Sequence, residues 1–394
     1  MEKETTVAEA EYGRRVAETR ARMEEAGLDA LLVASQYNRR YLTGFSHADG
    51  DITESSGWAL VTRDALNLIT GTFFLTSLEH EIVPSGAVVL STDEEPAHKV
   101  LAAALERAGI HKLGFEKDWL SYGRYERIRA AVAESVALVP GADIVERVRM
   151  RKDDAEAAVM RQAARIADQA FARLVTEIRP GMTERQIAAR LDALMVSMGA
   201  SDVSFPTIVA CGPGAALPHA VPTDREIQPG EPLLLDFGCI LEGYCSDTTK
   251  TIVLGEPSAK LVEIYGVVRA AQDAAESALS AGSRRGRDVD GAARAVIADA
   301  GYGDLFIHST GHGVGMAVHE LPYVASPRNS DPETEAALAQ VEGFGQQTVV
   351  TVEPGIYIAG WGGVRLEDMM LTTDGGADLM TARNPERILS VGGA

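Results

Sequence analysis

The stretch LLLDFGCILEGYCSDTTKTIV, residues 233–253, decides the fold. It reads as two apolar β-runs about a tight turn, with one aspartate on each arm. Taking Glu242 and Gly243 as the turn pair sets Leu241 opposite Tyr244 and Asp236 opposite Thr249. Asp247 lies two residues from Thr249, and side chains two apart on a strand share a face. Both carboxylates therefore project from one face as diagonal cross-strand neighbours. Like charges so placed repel unless something positive sits between them, either a shared proton or a metal ion. Two solvent-facing turn aspartates are the plainer alternative, and the apolar, strand-like arms argue against it.

The rest of the chain sets the frame. A length of 394 residues exceeds one ordinary core and implies two domains. A composition 46% hydrophobic and 24% charged is that of a soluble globular protein. The formal charge of -20 argues against nucleic acid, which requires a basic footprint, and against anionic membrane surfaces. The opening MEKETTVAEAEYGRR has no apolar signal core, and no run is long enough to span a bilayer. Cys211, Cys239 and Cys245 are odd in number and fit no zinc-knuckle spacing. They read as buried thiols in a reducing compartment, and a cytoplasmic location is expected.

Helical periodicity over residues 8–26 stops at Gly27. Strand-like runs follow at residues 30–34, 58–61, 66–69, 87–90 and 113–115, with helical patterns at 97–107 and 122–133. This alternation predicts an α/β domain over residues 1–150. Pro140-Gly141 reads as a chain-breaking turn before the boundary. Residues 151–394 read as a second, α+β domain with an internal repeat in outline. One helix ends at Arg179-Pro180-Gly181, and the next opens at Thr183 with Gln186 three residues on, a capping box, and stops at Gly199. A second pair runs from about residue 259 to Gly282 and from about Asp288 to Gly301. Two such halves would enclose a site between them.

Three later segments carry chemistry. HSTGHGVGMAVHELP, residues 308–322, holds three histidines. His312 stands between Gly311 and Gly313, where the backbone can approach another group closely, and is a ligand candidate; His308 reads as structural. VVTVEPGIYI, residues 349–358, is a strand ending at Glu353. GGVRLEDMMLT, residues 362–372, reads as one strand whose alternation puts Arg365, Glu367 and Met369 on one face. A glutamate inside an apolar strand is costly unless paired or metal-bound, and Glu367 alone is explicable by a salt bridge to Arg365. Taken together, Asp236, Asp247, His312, Glu353 and Glu367 form an oxygen-rich set suited to two divalent ions such as Mn²⁺, Co²⁺ or Zn²⁺.

These residues resemble the pita-bread metallopeptidase family of methionine aminopeptidase, aminopeptidase P and prolidase. The family's five ligands fall in order on Asp236, Asp247, His312, Glu353 and Glu367. His219, in SFPTIVACGPGAALPH, and His319, in VHELP, match its substrate-contacting histidines, and Arg365, in GVRLED, matches the arginine that supports the site. NRRYLTGF at residues 38–45 is similar to the amino-terminal domain of the proline-peptidase and creatinase branch. The resemblance implies a creatinase/prolidase-like first domain and a pita-bread catalytic domain holding two metal ions, Mn²⁺ foremost. It further implies a homodimer that cleaves short peptides with proline second. A metal-bridging hydroxide would attack the scissile carbonyl, Glu353 would shuttle the proton, and His219 and His319 would hold the substrate.

Two places depart from the family pattern. ITGTFFLTSLEHE, residues 69–81, replaces a strand with an arginine-tyrosine pair, which bears on substrate choice. Lys250 stands where arginine is usual; it keeps the charge but not a bidentate contact. Alternatives on the same scaffold are a hydrolase or lyase of non-peptides, of ectoine-hydrolase or creatinase type, and a catalytically inactive binding protein. The intact ligand set argues against the inactive and creatinase-like forms.

Overall fold

The computed structural model describes residues 7–51, 53–75, 79–141, 143–326 and 343–392. The chain divides into two compact units, Met1–Arg149 and Met150–Ala394.

In the first unit Ala30–Val33 is buried at all four positions, as its unbroken apolar run requires. It lies within a six-stranded sheet ordered Val88–Ser91, Leu66–Thr70, Trp58–Thr62, Ala30–Val33, Lys112–Glu116, Ala137–Gly141. Trp58–Thr62 is antiparallel to both neighbours, and the remaining pairings are parallel. Pro140-Gly141 is not a turn: it ends the outermost strand, with Pro140 opposite Phe115. An edge strand tolerates proline because one side of its backbone has no ladder to complete. The NRRYLTGF text forms a short helix, Gln36–Thr43, capped by the Ser35 hydroxyl and stopped at Gly44 with φ 79°. Asn38 donates to Glu116 and to Glu146 at 2.6 Å each, and buried Arg39 donates to Asp49 and to the Gly57 carbonyl. The motif thus pins this unit internally.

The second unit contains two helix pairs, each with its own apolar core. Asp154–Leu174 and Glu184–Ser197 pack with Ile208–Cys211, Pro232–Phe237 and Thr248–Leu254. Ala259–Ser280 and Gly286–Asp299 pack with Val349–Val352, Gly355–Ile358 and Gly362–Arg365. The capping box at Thr183 and Gln186 is present, and Asp153 with Glu156 makes a second one. A four-stranded sheet orders Leu389–Val391, Thr248–Leu254, Pro232–Phe237 and Ile208–Cys211; a five-stranded sheet orders Glu320–Val324, Gly311–Gly313, Val349–Val352, Asp368–Thr373 and Gly376–Leu379.

The hairpin has the expected register. Leu241 pairs with Tyr244, and Asp236 with Thr249. Glu242 and Gly243 both have positive φ, 51° and 90°, the mirror-image turn that matches strand twist. The single strand expected over residues 362–372 is two. Gly362–Arg365 pairs with Gly355–Ile358, whereas Asp368–Thr373 pairs with Val349–Val352. The chain changes sheets at Leu366 and Glu367, where the Glu367 N–H donates to the Thr249 carbonyl at 3.0 Å. Strict alternation therefore does not run from Arg365 to Met369.

Gly238 lies between the two strand segments of the first hairpin arm. A Cβ there would sit 1.9 Å from the Ser246 carbonyl oxygen. Gly238→Ala is expected to destabilise the protein by about 1–3 kcal/mol through backbone displacement, measured by denaturant unfolding of the metal-free protein. An unchanged midpoint would contradict this packing.

Candidate metal centre and active site

Each acidic residue of the set arrives on a different element. Asp236 is near the end of Pro232–Phe237, and Asp247 immediately precedes Thr248–Leu254. Glu353 follows Val349–Val352, where its N–H donates to the Thr310 carbonyl at 2.7 Å. Glu367 sits at the switch between sheets. His312 lies on Gly311–Gly313, its N–H donated to Thr351 Oγ1 at 3.1 Å.

The glycines beside His312 have a definite reason. A Cβ at Gly311 would lie 2.0 Å from the Thr351 carbonyl oxygen, and one at Gly313 would lie 2.2 Å from that of Leu321. What approaches closely is neighbouring strand backbone, and this brings His312 in among the acids.

One ligand atom each from Asp247, His312 and Glu367 lie within 4.8 Å of one another. His312 Nε2 is 3.6 Å from Asp247 Oδ2 and 3.5 Å from Glu353 Oε1. Its Nδ1 is 3.0 Å from the Gly313 carbonyl oxygen. A carbonyl only accepts, so Nδ1 carries the proton and Nε2 turns its lone pair toward the carboxylates. Burial, with His319 adding, pushes His312 down to about 3, so the imidazole is neutral.

Asp236 stands beside this trio. Its Oδ2 accepts from Arg365 Nη2 at 2.6 Å, while its Oδ1 is buried with no hydrogen-bond partner among the described residues. Burial raises Asp247 and Glu367 well above the carboxylate range, reinforced by their acidic neighbours. Burial likewise pushes Glu353 up to about 8, against the pull of Arg365. Four carboxylates thus face one guanidinium and a neutral imidazole, leaving three formal negative charges to be met by protons or cations. The orphaned Asp236 oxygen, the free Nε2 lone pair and the oxygen-rich donors fit hard-to-borderline divalent ions.

Arg365 and Thr249 hold the set in place. Arg365 Nη1 donates to Tyr357 Oη at 2.8 Å and to the Pro218 carbonyl at 3.2 Å. Its Nε donates to Thr249 Oγ1 at 3.1 Å, and that hydroxyl donates to Glu367 Oε2 at 2.7 Å. Arg365 therefore pairs with Asp236 and is linked to Glu367 by hydrogen bonds through Thr249, with no direct salt bridge to it among the described residues. Tyr357 Oη also lies 2.8 Å from His308 Nε2, so His308 joins the edge of this network.

The two substrate-facing candidates are placed differently. The His319 ring meets the His312 ring edge-on, centroids 4.2 Å apart. His219 is exposed, next to the Pro218 carbonyl held by Arg365. Lys250 is away from these ligands: it pairs with Asp368 at 3.1 Å and with the Ala382 carbonyl. Of the departure segment in the first unit, residues 76–78 lie outside the described residues, and Phe73 is exposed. Tyr357 and Thr351 carried no signal in the sequence beyond lying in strand text. Thr249 was visible only as the partner facing Asp236.

Thr249→Val keeps the strand and removes the hydroxyl that links Arg365 to Glu367. Metal affinity or activity is expected to fall roughly 10–100-fold, as for other residues that orient ligands, with the fold retained by circular dichroism. Titration of metal into both proteins measures it, and equal affinities together with equal rates would contradict the assigned role.

Comparison with known proteins identifies the family. Residues 158–374 match the model of metallopeptidase family M24, and residues 15–151 that of the creatinase/prolidase N-terminal domain. The chain is 38% identical over 370 residues to an uncharacterized peptidase of Bacillus subtilis, covering 93% of this chain and 97% of that one. It is 35% identical over 366 residues to an Xaa-Pro dipeptidase of Pyrococcus horikoshii, covering 93% and 96%. The Xaa-Pro dipeptidase structure from Bacillus anthracis superposes with TM-score 0.85 at 34% identity, covering 96% of this chain and all of that one. The X-Pro aminopeptidase of Thermotoga maritima gives 0.80 at 32%, covering 94% and 100%. Among the described residues no helix is long and apolar enough to cross a membrane. With its pita-bread fold and creatinase-type N-terminal domain, the chain belongs to metallopeptidase family M24.

Proposed function

We propose that this metallopeptidase hydrolyses the Xaa-Pro bond of short peptides. In this reading Asp236, Asp247, His312, Glu353 and Glu367 hold two divalent ions, Mn²⁺ foremost and Co²⁺ or Zn²⁺ as substitutes. The observation that carries the reading is the buried trio Asp247, His312 and Glu367 with ligand atoms within 4.8 Å. Similarity to Xaa-Pro dipeptidases along nearly the whole chain supports the choice of substrate. The family resemblance also supports a cytoplasmic homodimer.

Divalent ions held there supply Lewis-acid polarisation of the scissile carbonyl and activation of a water. The chain's own residues do the rest. Glu353 is suited to carrying a proton from the attacking water to the leaving nitrogen. Its side chain is 16% exposed, against 5% for Asp247 and 13% for Asp236. A prolyl nitrogen is a poor leaving group until protonated, so this transfer matters most for an Xaa-Pro bond. His219 and His319 bind the substrate carbonyl and stabilise the charge that develops on it. Arg365 links Asp236 to the Pro218 carbonyl, next to His219.

Amino-acid release from Ala-Pro and Ala-Pro-Pro by Mn²⁺-loaded protein, with a chelated control, tests the proposal. Metal-dependent cleavage of Ala-Pro alone identifies a dipeptidase; cleavage of Ala-Pro-Pro with the dipeptide spared identifies an aminopeptidase. Cleavage of neither by two-metal protein would overturn the reading.

Glu353→Gln is expected to lower kcat roughly 100-fold or more, the range of general acid–base catalysis. The comparison is made at equal metal content. A metal-loaded Gln variant with the wild-type rate would remove Glu353 from proton transfer.

A further inference from the structure

We infer that the buried ion pair between Lys152 and Glu320 positions His319. This rests on the reading above, in which His319 faces the substrate. Lys152 Nζ lies 2.7 Å from Glu320 Oε1, with the side chains 1% and 6% exposed. An ion pair removed from water contributes little net stability compared with apolar groups of the same volume. Its role is therefore sought in what it orients.

Glu320 directly follows His319 and opens the strand Glu320–Val324. Its Oε2 accepts the Ala317 N–H at 3.4 Å, so the carboxylate spans the loop that carries His319. Gly315 lies against the same carboxylate: a Cβ there would sit 2.3 Å from Oε1. The Gly315 carbonyl accepts the Cys245 N–H at 2.8 Å, tying the loop to the hairpin two residues before Asp247. On the other side, the Lys152 N–H donates to the Gln347 carbonyl at 2.7 Å, and Nζ lies 3.4 Å from the Met150 carbonyl. The ammonium is thus fixed from its own end and holds the carboxylate in place. Without it, the Glu320 carboxylate loses its ion-pair partner, and the loop it spans moves. His319, packed edge-on against His312, then leaves its place.

The test uses Mn²⁺-loaded protein and whichever of Ala-Pro and Ala-Pro-Pro the wild type cleaves. Lys152→Met is expected to bind the same number of metal ions as wild type and to lower kcat on the order of 10- to 100-fold, the effect of a misplaced group. KM should change far less, and Lys152→Arg should recover most of the loss. In a His319→Ala background Lys152→Met should have no further effect. A wild-type kcat in Lys152→Met, or an equal loss in the His319→Ala background, would overturn the inference. If Lys152→Met does not fold, Glu320→Gln carries the same test, since its amide oxygen can still accept from Ala317. A readout independent of turnover separates this inference from the Xaa-Pro reading. In ¹⁵N-histidine spectra of Zn²⁺-loaded protein, the His319 resonance should shift in Lys152→Met and Glu320→Gln while that of His98, in the first unit, stays. An unmoved His319 resonance would overturn the positioning role even if neither peptide is cleaved.

Discussion

The second unit is built around an unfavourable concentration of buried negative charge. Asp236, Asp247, Glu353 and Glu367 converge from separate elements, and Arg365 alone among the described basic side chains is ion-paired to one of these acids without needing protonation. Such a cluster is costly unless protons or cations compensate it. In the proposed two-metal state, two divalent ions would leave a single positive charge once Arg365 is counted, which an anionic nucleophile would cancel. In that state the cluster's charge would be compensated.

The surrounding structure answers to that requirement. Asp236 and Asp247 come from the four-stranded sheet, His312 and Glu353 from the five-stranded one, and Glu367 sits where the chain passes from the two-stranded sheet into the five-stranded one. The glycines flanking His312 allow strand backbones to close on it, and the Gly313 carbonyl fixes which nitrogen faces the acids. Thr249, Arg365 and Tyr357 then link Glu367, Asp236 and the segment bearing His219. Such hydrogen bonds orient ligands and tune them.

Much of this is legible in the residues, for identifiable reasons. The hairpin register follows from one turn pair and a period of two, so the pairing of Asp236 with Thr249, two residues from Asp247, could be read directly. The helix pairs announce themselves through caps and glycine stops. Features set by tertiary contact were not legible. Strand alternation does not announce that the chain will change sheets at Leu366, and Pro140 looks like a breaker until its strand is known to be an edge. Thr249 and Tyr357 act through partners more than a hundred residues and eight residues away respectively, which no local pattern reveals. His308, read as structural from its sequence setting, reaches the site because Tyr357 comes to it from another strand.

In the function proposed above, the carboxylate cluster is a two-metal site. Metal content per chain after Mn²⁺ loading and desalting, in the wild type and in Asp247→Asn, tests it most directly. Two ions per chain are expected in the wild type and a clear loss in the variant, with the fold retained. A wild-type protein that folds and retains no Mn²⁺, Co²⁺ or Zn²⁺, or an Asp247→Asn variant that still holds two ions, would contradict it.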